Sequence, residues 1–368
     1  MRSPLDSEWQ VLQRLLPPGW QDAARTCGAF RRARYTPDPA ALLRLLLFHA
    51  VNDGGLRETV TQARASGIAA ISSVALLKRL RTSESWLQWL GAELCRSLRE
   101  TPRLPQGLRL RVIDGTTVQG PAATTTGWRL HYGFDLLRLS CDWYDVTDAS
   151  VGESLETIPV ERGDVLLADR NYVRSPGVRR VVDAGAHVLA RLRWTHPAME
   201  DGKGLDFHAL DHARKVKVGE VKAWPVRLRV PGGAPVLGRV VVTRLPAPLA
   251  ERAARKAARA SVKKGKHPDP RSLQAARFIM VFTTLPETLL ASADVLELYR
   301  YRWQIELAFR RLKQLLRLGR LPHKDPRCAR SWILAKLVVA LLLETLYRNA
   351  TAFSPWGFSF NSPATASP

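Results

Sequence analysis

The sequence predicts an α/β chain in which a mixed sheet carries helices, follows an all-helical region and is interrupted by a β-rich insertion. Three observations carry this prediction. Apolar residues recur at helical spacing over residues 7–100, as in Leu42, Leu43, Leu45, Leu46 and Leu47, and again in Trp86, Leu87, Trp89, Leu90 and Leu94. From Leu108 the period becomes two, with Leu108, Leu110 and Val112 alternating with Arg109 and Arg111. Three consecutive strand-like runs then precede a strand, a helix and a strand, the order of a meander joined to crossover strands.

In the helical region, Val74-Ala75-Leu76-Leu77 and Leu80 continue the apolar spacing, and Ser72-Ser73 supply N-caps. Pro102 and Pro105 punctuate the chain, so this domain spans 1–104. The sheet domain begins over 105–194. Its first strand ends at Ile113-Asp114-Gly115-Thr116, and 128–136 and 139–147 follow as strands. Val165-Leu166-Leu167-Ala168 is a fourth strand ending in Asp169. A helix at 174–184 leads to a fifth strand, His187 to Leu192. The insertion, 195–276, holds strand-like pieces at Val216–Val218, Val226–Val230 and Val236–Thr243 and a basic helix at 249–264. A buried strand from Phe278 to Thr284 and a long helix from near Ala293 resume the sheet domain over 277–350, and 351–368 is a Ser/Pro/Ala tail.

Charge narrows the function. The 368 residues carry 56 Lys+Arg against 33 Asp+Glu, a net charge of +23. An acidic small-molecule pocket does not account for this excess; nucleic acid or an anionic membrane does. No apolar h-region follows the start, and the longest unbroken apolar run, Leu337 to Leu343, falls far short of the ~20 residues of a span, so no membrane role is expected. Cys27, Cys95, Cys141 and Cys328 form no C-x-x-C pair, as expected of reduced thiols in a cytoplasmic protein. The charge is clustered. Residues 251–277 hold 9 basic and 2 acidic side chains and residues 299–348 hold 12 and 3, together +16 of the +23. Such clustering favours phosphate-contacting surfaces, with a solvated basic helix face as the alternative for 251–266.

Asp114 and Asp169 sit alike, each just after a hydrophobic strand. Two aspartates on adjacent strand ends can ligate one divalent cation, and Mg²⁺ favours a few carboxylates with water and phosphate oxygens. Taken singly, each could instead cap a turn. A third carboxylate lies in the segment Tyr299 to Lys313. At 100° per residue, Tyr299, Arg302, Glu306 and Lys313 share a stripe roughly 60° wide, while Tyr301, Ile305, Ala308, Phe309, Leu312, Leu315 and Leu316 fall opposite as a core face. A carboxylate between two cations adds little stability, but it makes sense where the carboxylate holds a metal and the cations hold phosphates. An exposed Arg302–Glu306 pair is the alternative, and it leaves Tyr299 and Lys313 unexplained.

Tyr299-x2-Arg302-x3-Glu306-x6-Lys313 resembles the Tyr-Arg-Glu-Lys signature of bacterial insertion-sequence DDE transposases, in the family named after insertion sequence four. Ile113-Asp114-Gly115-Thr116, Leu167-Ala168-Asp169-Arg170-Asn171-Tyr172, and Thr147-Asp148 to Glu153-Ser154-Leu155 extend the resemblance, which covers roughly residues 30–348. It implies a ribonuclease-H-like catalytic domain in which Asp114, Asp169 and Glu306 are the catalytic residues and bind two Mg²⁺ ions, with Mn²⁺ as a substitute. Asp169 and Glu306 lie 137 residues apart, which leaves room for an inserted β-rich subdomain. The helical N-terminal domain is expected to bind DNA. Tyr299, Arg302 and Lys313 are expected to contact phosphates of transposon-end DNA, with Arg310, Arg170, Lys263 and Lys264 as further contacts from the basic segments.

The implied reaction is hydrolysis at the insertion-sequence end followed by attack of the freed 3′-hydroxyl on target DNA. The implied partners are double-stranded DNA, as terminal inverted repeats and target, and a second copy of the chain forming a homodimer on DNA, in a cytoplasmic, nucleoid-associated setting. A same-fold nuclease without strand transfer and an inactive DNA-binding remnant stand as alternatives. In one branch of the family an aromatic residue stacks on a flipped base from the strand before the Thr-Thr-x-Pro turn. Here that position holds Ile279, so that a flipped base is held by Phe282 or Trp303 or not held at all. Relatives run further past the segment Pro355-Trp356-Gly357, so a shortened C-terminus is expected.

Overall fold

The computed structural model describes residues 4–352, apart from 34–35, 53, 98–103, 105–106, 121–126 and 320. The prolines at 102 and 105 and the tail from 353 lie outside the described residues. Among the described residues six helices come first: α1 (Pro4–Gln13), α2 (Trp20–Thr26), α3 (Pro39–Asn52), α4 (Leu56–Ala65), α5 (Ser73–Thr82) and α6 (Glu84–Ser97). Ser72 caps α5, its Oγ accepting the Ala75 N–H at 3.2 Å. The leucines of α3 are fully or nearly buried, because α3, α5 and α6 pack on the 27-residue helix α13 (Pro326–Ala352). Ser331 of α13 donates to the carbonyl of Leu80 at 2.7 Å at this seam. Among the described residues no helix is long and apolar enough to cross a membrane.

Among the described residues nine strands form one sheet: β1 (Arg109–Val118), β2 (Trp128–Asp135), β3 (Ser140–Asp148), β4 (Asp164–Ala168), β5 (His187–Arg191), β6 (Met199–Glu200), β7 (Val221–Leu228), β8 (Val236–Arg244) and β9 (Phe278–Thr283), in the order β3-β2-β1-β4-β5-β9-β8-β7-β6. β1 to β3 form an antiparallel meander, and β4 and β5 continue in parallel. β9 then pairs antiparallel with both β5 and β8. The large mixed sheet with flanking helices is the predicted α/β architecture, and its strand order is consistent with a ribonuclease-H-like transposase. The inserted strands do not make a sheet of their own; they lengthen this one. Val216–Val218 is not a strand, since only Val218 makes an isolated bridge, to Arg244.

The strand period of two separates the two faces. Val112, Val165, Leu167 and Leu189 join the core shared with the N-terminal helices and the C-terminal helices. Ile113, Leu166, Ala168, Val188 and Ala190 join a second core under α7 (Ser175–Asp183), through Val178 and Val181. The arginines that alternate with the β1 apolar residues are buried too, at 5% exposure for Arg109 and 1% for Arg111. Their partners come from far along the chain. Arg109 makes a two-pronged contact with Asp164 at 2.7 and 2.9 Å, and Arg111 bridges Asp142 and Asp164. Burial alone would raise the Asp164 carboxyl, but the Arg109 hydrogen bonds and the Arg111 charge hold it below its ordinary value.

Candidate active site

β1 and β4 bring the two aspartates together. Ile113 pairs with Ala168 in the parallel register, so Asp114 and Asp169 are the next residues on neighbouring strands. β1 does not stop at Asp114, as the sequence had suggested. It runs on to Val118 because β2 still pairs with it there, Asp114 facing Tyr132 and Val118 facing Trp128. By strand alternation Asp114 and Asp169 point to the Val112 and Leu167 face, the side on which the last helices pack.

Those helices differ from the single long helix predicted. α11 (Ser292–Arg300) ends in a 3₁₀ turn, Tyr301–Trp303, before α12 (Gln304–Gln314) begins. The tighter turn breaks the uniform 100° step. Ile305, Ala308, Phe309 and Leu312 are buried as expected, whereas Tyr301 (49%) and Leu315 (77%) are exposed. The break places Arg302 at the centre of the site. Its Nη1 donates to Asp114 Oδ2 at 3.3 Å and its Nη2 to Glu306 Oε1 at 2.7 Å. Its guanidinium also lies 6.0 Å from the centroid of the Tyr299 ring.

Electrostatics mark the same spot. Burial, helped by the Glu153 and Asp169 charges, pushes the Asp114 carboxyl up to about 6 against the opposing effects of the Gly115 N–H and Arg302. Burial likewise raises the Tyr299 hydroxyl to about 12, and Asp169 and Arg191 act on it from across the site. Glu153 was visible within the third stretch of the resemblance but had no role assigned. It accepts the Asn171 Nδ2–H at 3.0 Å, so a fourth carboxylate is tethered two residues past Asp169.

The three predicted carboxylates converge only in part. Asp114 and Glu306 share one guanidinium, and Asp169 stands beside Asp114 by strand register. Among the described residues no three acidic, histidine or cysteine side chains lie close enough to hold a metal ion. The donor set still suits a hard cation, since it is all carboxylate oxygen, and the Arg302 guanidinium stands in for positive charge between two of its members.

The remaining predicted contacts spread outward. Arg310 and Lys313 are exposed further along α12, Lys313 lying about 10 Å of helix beyond Glu306. Arg170 is exposed beside Asp169. Lys263 and Lys264 lie at the end of α9 (Ala247–Lys263), exposed, and among the described residues they make no hydrogen bond or ion pair with the site. Phe282 is fully buried and is not free to stack on a base; Trp303, 47% exposed in the 3₁₀ turn, is.

The loop that launches α11 is held from the insertion. Arg239 of β8 is 7% exposed and donates to the Leu285 carbonyl at 3.0 Å, to Ser292 Oγ at 2.8 Å and to the Leu290 carbonyl, and it pairs with Glu287.

With its paired aspartates and its helix-borne glutamate on this sheet, the chain belongs to the transposase DDE domain family, whose model matches residues 105–342. It is 32% identical over 347 residues to the transposase for insertion sequence element IS421 of Escherichia coli, covering 92% of this chain and 93% of the relative. It is 31% identical over 344 residues to InsL of insertion sequence element IS186A from Escherichia coli strain K12, with the same coverage. A more distant relative, the transposase for insertion sequence element IS231B of Bacillus thuringiensis subsp. berliner, is 20% identical over 84% of this chain and 73% of that one.

Proposed function

We propose that the chain is a DNA transposase that cuts an insertion-sequence end and joins the freed 3′-hydroxyl to target DNA. The observation that carries this reading is the Arg302 guanidinium held between Asp114 and Glu306, with Asp169 level with Asp114 on the adjacent strand. A cation bound there between two acids marks where positive charge and phosphate would be accommodated.

Asp114, Asp169 and Glu306 are the residues that would hold Mg²⁺, or Mn²⁺ in its place. Bound there, such ions would supply activation of a water or hydroxyl and neutralisation of charge on the transferring phosphate. The chain's own residues do the rest. With its two carboxylate partners committed to such ions, Arg302 would be free to grip a phosphate as a planar fork, with Tyr299 donating its hydroxyl alongside. Arg310 and Lys313 extend that grip along α12, and Arg170 begins it on the β4 side. Trp303 is available to stack on an unpaired base beside the end. The N-terminal helices and the basic helix α9, with Lys263 and Lys264, supply further duplex contacts. A homodimer assembled on two ends, acting in the cytoplasm at the nucleoid, completes the reading.

The test uses the full chain and a duplex bearing the terminal repeat that flanks its reading frame. Mg²⁺-dependent nicking at the repeat boundary and joining of a pre-cleaved end to target are expected. Glu306→Gln should abolish both and retain binding. Nicking without any joined product would leave only a nuclease, and binding without nicking an inactive remnant.

A further inference from the structure

We propose that a cleft on the α7 side of the sheet is a second phosphodiester-binding site, which holds the nucleic-acid strand as it leaves Asp114 on the side away from α12. This rests on the transposase reading of the Asp114 site and adds to it a binding surface made, Arg170 apart, by other residues.

The cleft encloses about 500 Å³ and is lined by Arg129, Glu153, Arg170, Asn171, Arg174 and Arg193, among others. Its place follows from strand alternation. Asp114 faces α12, so Gly115 faces the other way, and a Cβ on Gly115 would lie 3.3 Å from Glu153 Oε1 and 3.6 Å from Arg129 Cδ. Arg170 follows Asp169 in the same sense. The cleft is therefore one residue along the chain from both aspartates and one sheet thickness away from Arg302. A strand crossing the tips of β1 and β4 would meet α12 on one side of its reacting phosphate and this cleft on the other.

The chemistry of the lining selects the ligand. Four guanidiniums line the cleft beside a single carboxylate, and that carboxylate is engaged elsewhere. Glu153 accepts from Asn171 at 3.0 Å, and Asn171 Oδ1 accepts from Arg193 Nη2 at 2.7 Å. Arg129 uses Nη1 on the Val151 carbonyl at 2.9 Å. Among the described residues none of Arg129, Arg170, Arg174 and Arg193 makes an ion pair within 4.0 Å, unlike the arginines of the buried β1 network, each matched to an aspartate. Clustered guanidiniums repel one another unless an anion joins them, and their forked geometry matches phosphate oxygens. Consecutive phosphodiesters of a nucleic-acid strand supply such anions at intervals. The strand can come from two sources: the donor flank before cleavage, or target DNA at joining.

The experiment compares the wild type with Arg174→Glu combined with Arg193→Glu, two exposed positions, and with the corresponding double lysine variant; melting temperature controls for folding. Without divalent cation, affinity is measured for a duplex ending flush at the terminal repeat and for one carrying ten further base pairs of flank. With Mg²⁺, joining of a pre-cleaved end to a random-sequence duplex is measured. Each phosphate contact accounts for about threefold of the affinity held at 50 mM salt and lost by 200 mM, so at 50 mM salt loss of the pair should cost about tenfold. If the glutamate variant binds the flush duplex normally but the flanked one about tenfold more weakly, the cleft holds donor flank. If flanked binding is normal but joining falls about tenfold and lysine restores it, the cleft holds target DNA. Flanked binding and joining both within twofold of wild type overturn the proposal, as does an equal loss on every substrate, the flush one included. A wild type that neither nicks nor joins overturns the transposase reading instead; the cleft then stands on flanked-duplex binding alone, and normal flanked binding by the glutamate variant overturns it.

Discussion

Glu344 of α13 reaches into the seam between the C-terminal helix and the meander, where it accepts the Cys141 N–H at 3.0 Å and the Tyr132 hydroxyl at 3.4 Å. Burial pushes its carboxyl from 4.5 up to about 7, although both hydrogen bonds and the Arg311 charge oppose the rise. A raised acid binds its proton more tightly in the folded chain than in the unfolded one. Its contribution is therefore fully present below about pH 4.5, is lost as pH rises to about 7 and is constant above that. The gap corresponds to about 3 kcal/mol at most. Glu344→Gln keeps the shape and an oxygen for the Cys141 N–H but removes the charge. Denaturant unfolding followed by tryptophan fluorescence should show the variant gaining on the wild type by about 2–3 kcal/mol between pH 5 and pH 8, with no difference near pH 4.5. A difference that stays flat across this range, or that favours the wild type at pH 8, would show that the seam does not disfavour the charged form.

Three further outcomes follow from packing. A Cβ on Gly91 of α6 would lie 1.6 Å from Tyr144 Oη and 2.6 Å from its Cζ, so Gly91→Ala should lose about 1–3 kcal/mol in melting experiments, despite the better helix propensity of alanine. Adding Tyr144→Phe, which removes a buried hydroxyl that finds no hydrogen-bond partner among the described residues, should recover part of that loss, and strict additivity of the two changes would refute the contact. Arg111→Met should cost about 3–5 kcal/mol by denaturant titration, since it leaves Asp142 and Asp164 buried without it; a near-neutral effect would mean the network is dispensable. Arg239→Met should slow nicking by about 10- to 100-fold while repeat binding stays near wild type, because it frees the loop before α11 but touches no DNA contact; unchanged nicking would show that the clamp does not position Glu306.

Much of the architecture was legible because it is local. The period-two run at Leu108–Val112, the apolar run Val165–Ala168 and the α3 leucines each declare their state within a few residues. The two aspartates could be paired because each ended such a run. What sequence could not show depends on distant partners. Arg109 and Arg111 read as the polar side of a strand, and only Asp142 and Asp164, brought in by β3 and β4, make their burial tolerable. The pairing of β8 with β9 joins segments with a long helix between them, so the insertion could be seen but not its union with the sheet. The 3₁₀ turn at Tyr301–Trp303 contains no glycine or proline to announce it, yet it turns Arg302 toward Asp114. Glu153 lacked a local pattern of its own; what brings it to Gly115 and Asn171 is the fold of the loop between β3 and β4.

The Arg239 clamp has a bearing on how the chain can be rebuilt. The spacer between the second and third acids is not a cassette to be exchanged as a unit. One of its strands is hydrogen-bonded to β9, and one of its arginines ties down the turn from which α11 departs. A chimera that imports residues 195–276 from a relative must also import a buried cation facing Leu285, Leu290 and Ser292. The β7–β8 connection at 229–235 supplies none of the clamp's own hydrogen bonds, and its glycine turn at 232–233 is a place where length can be added.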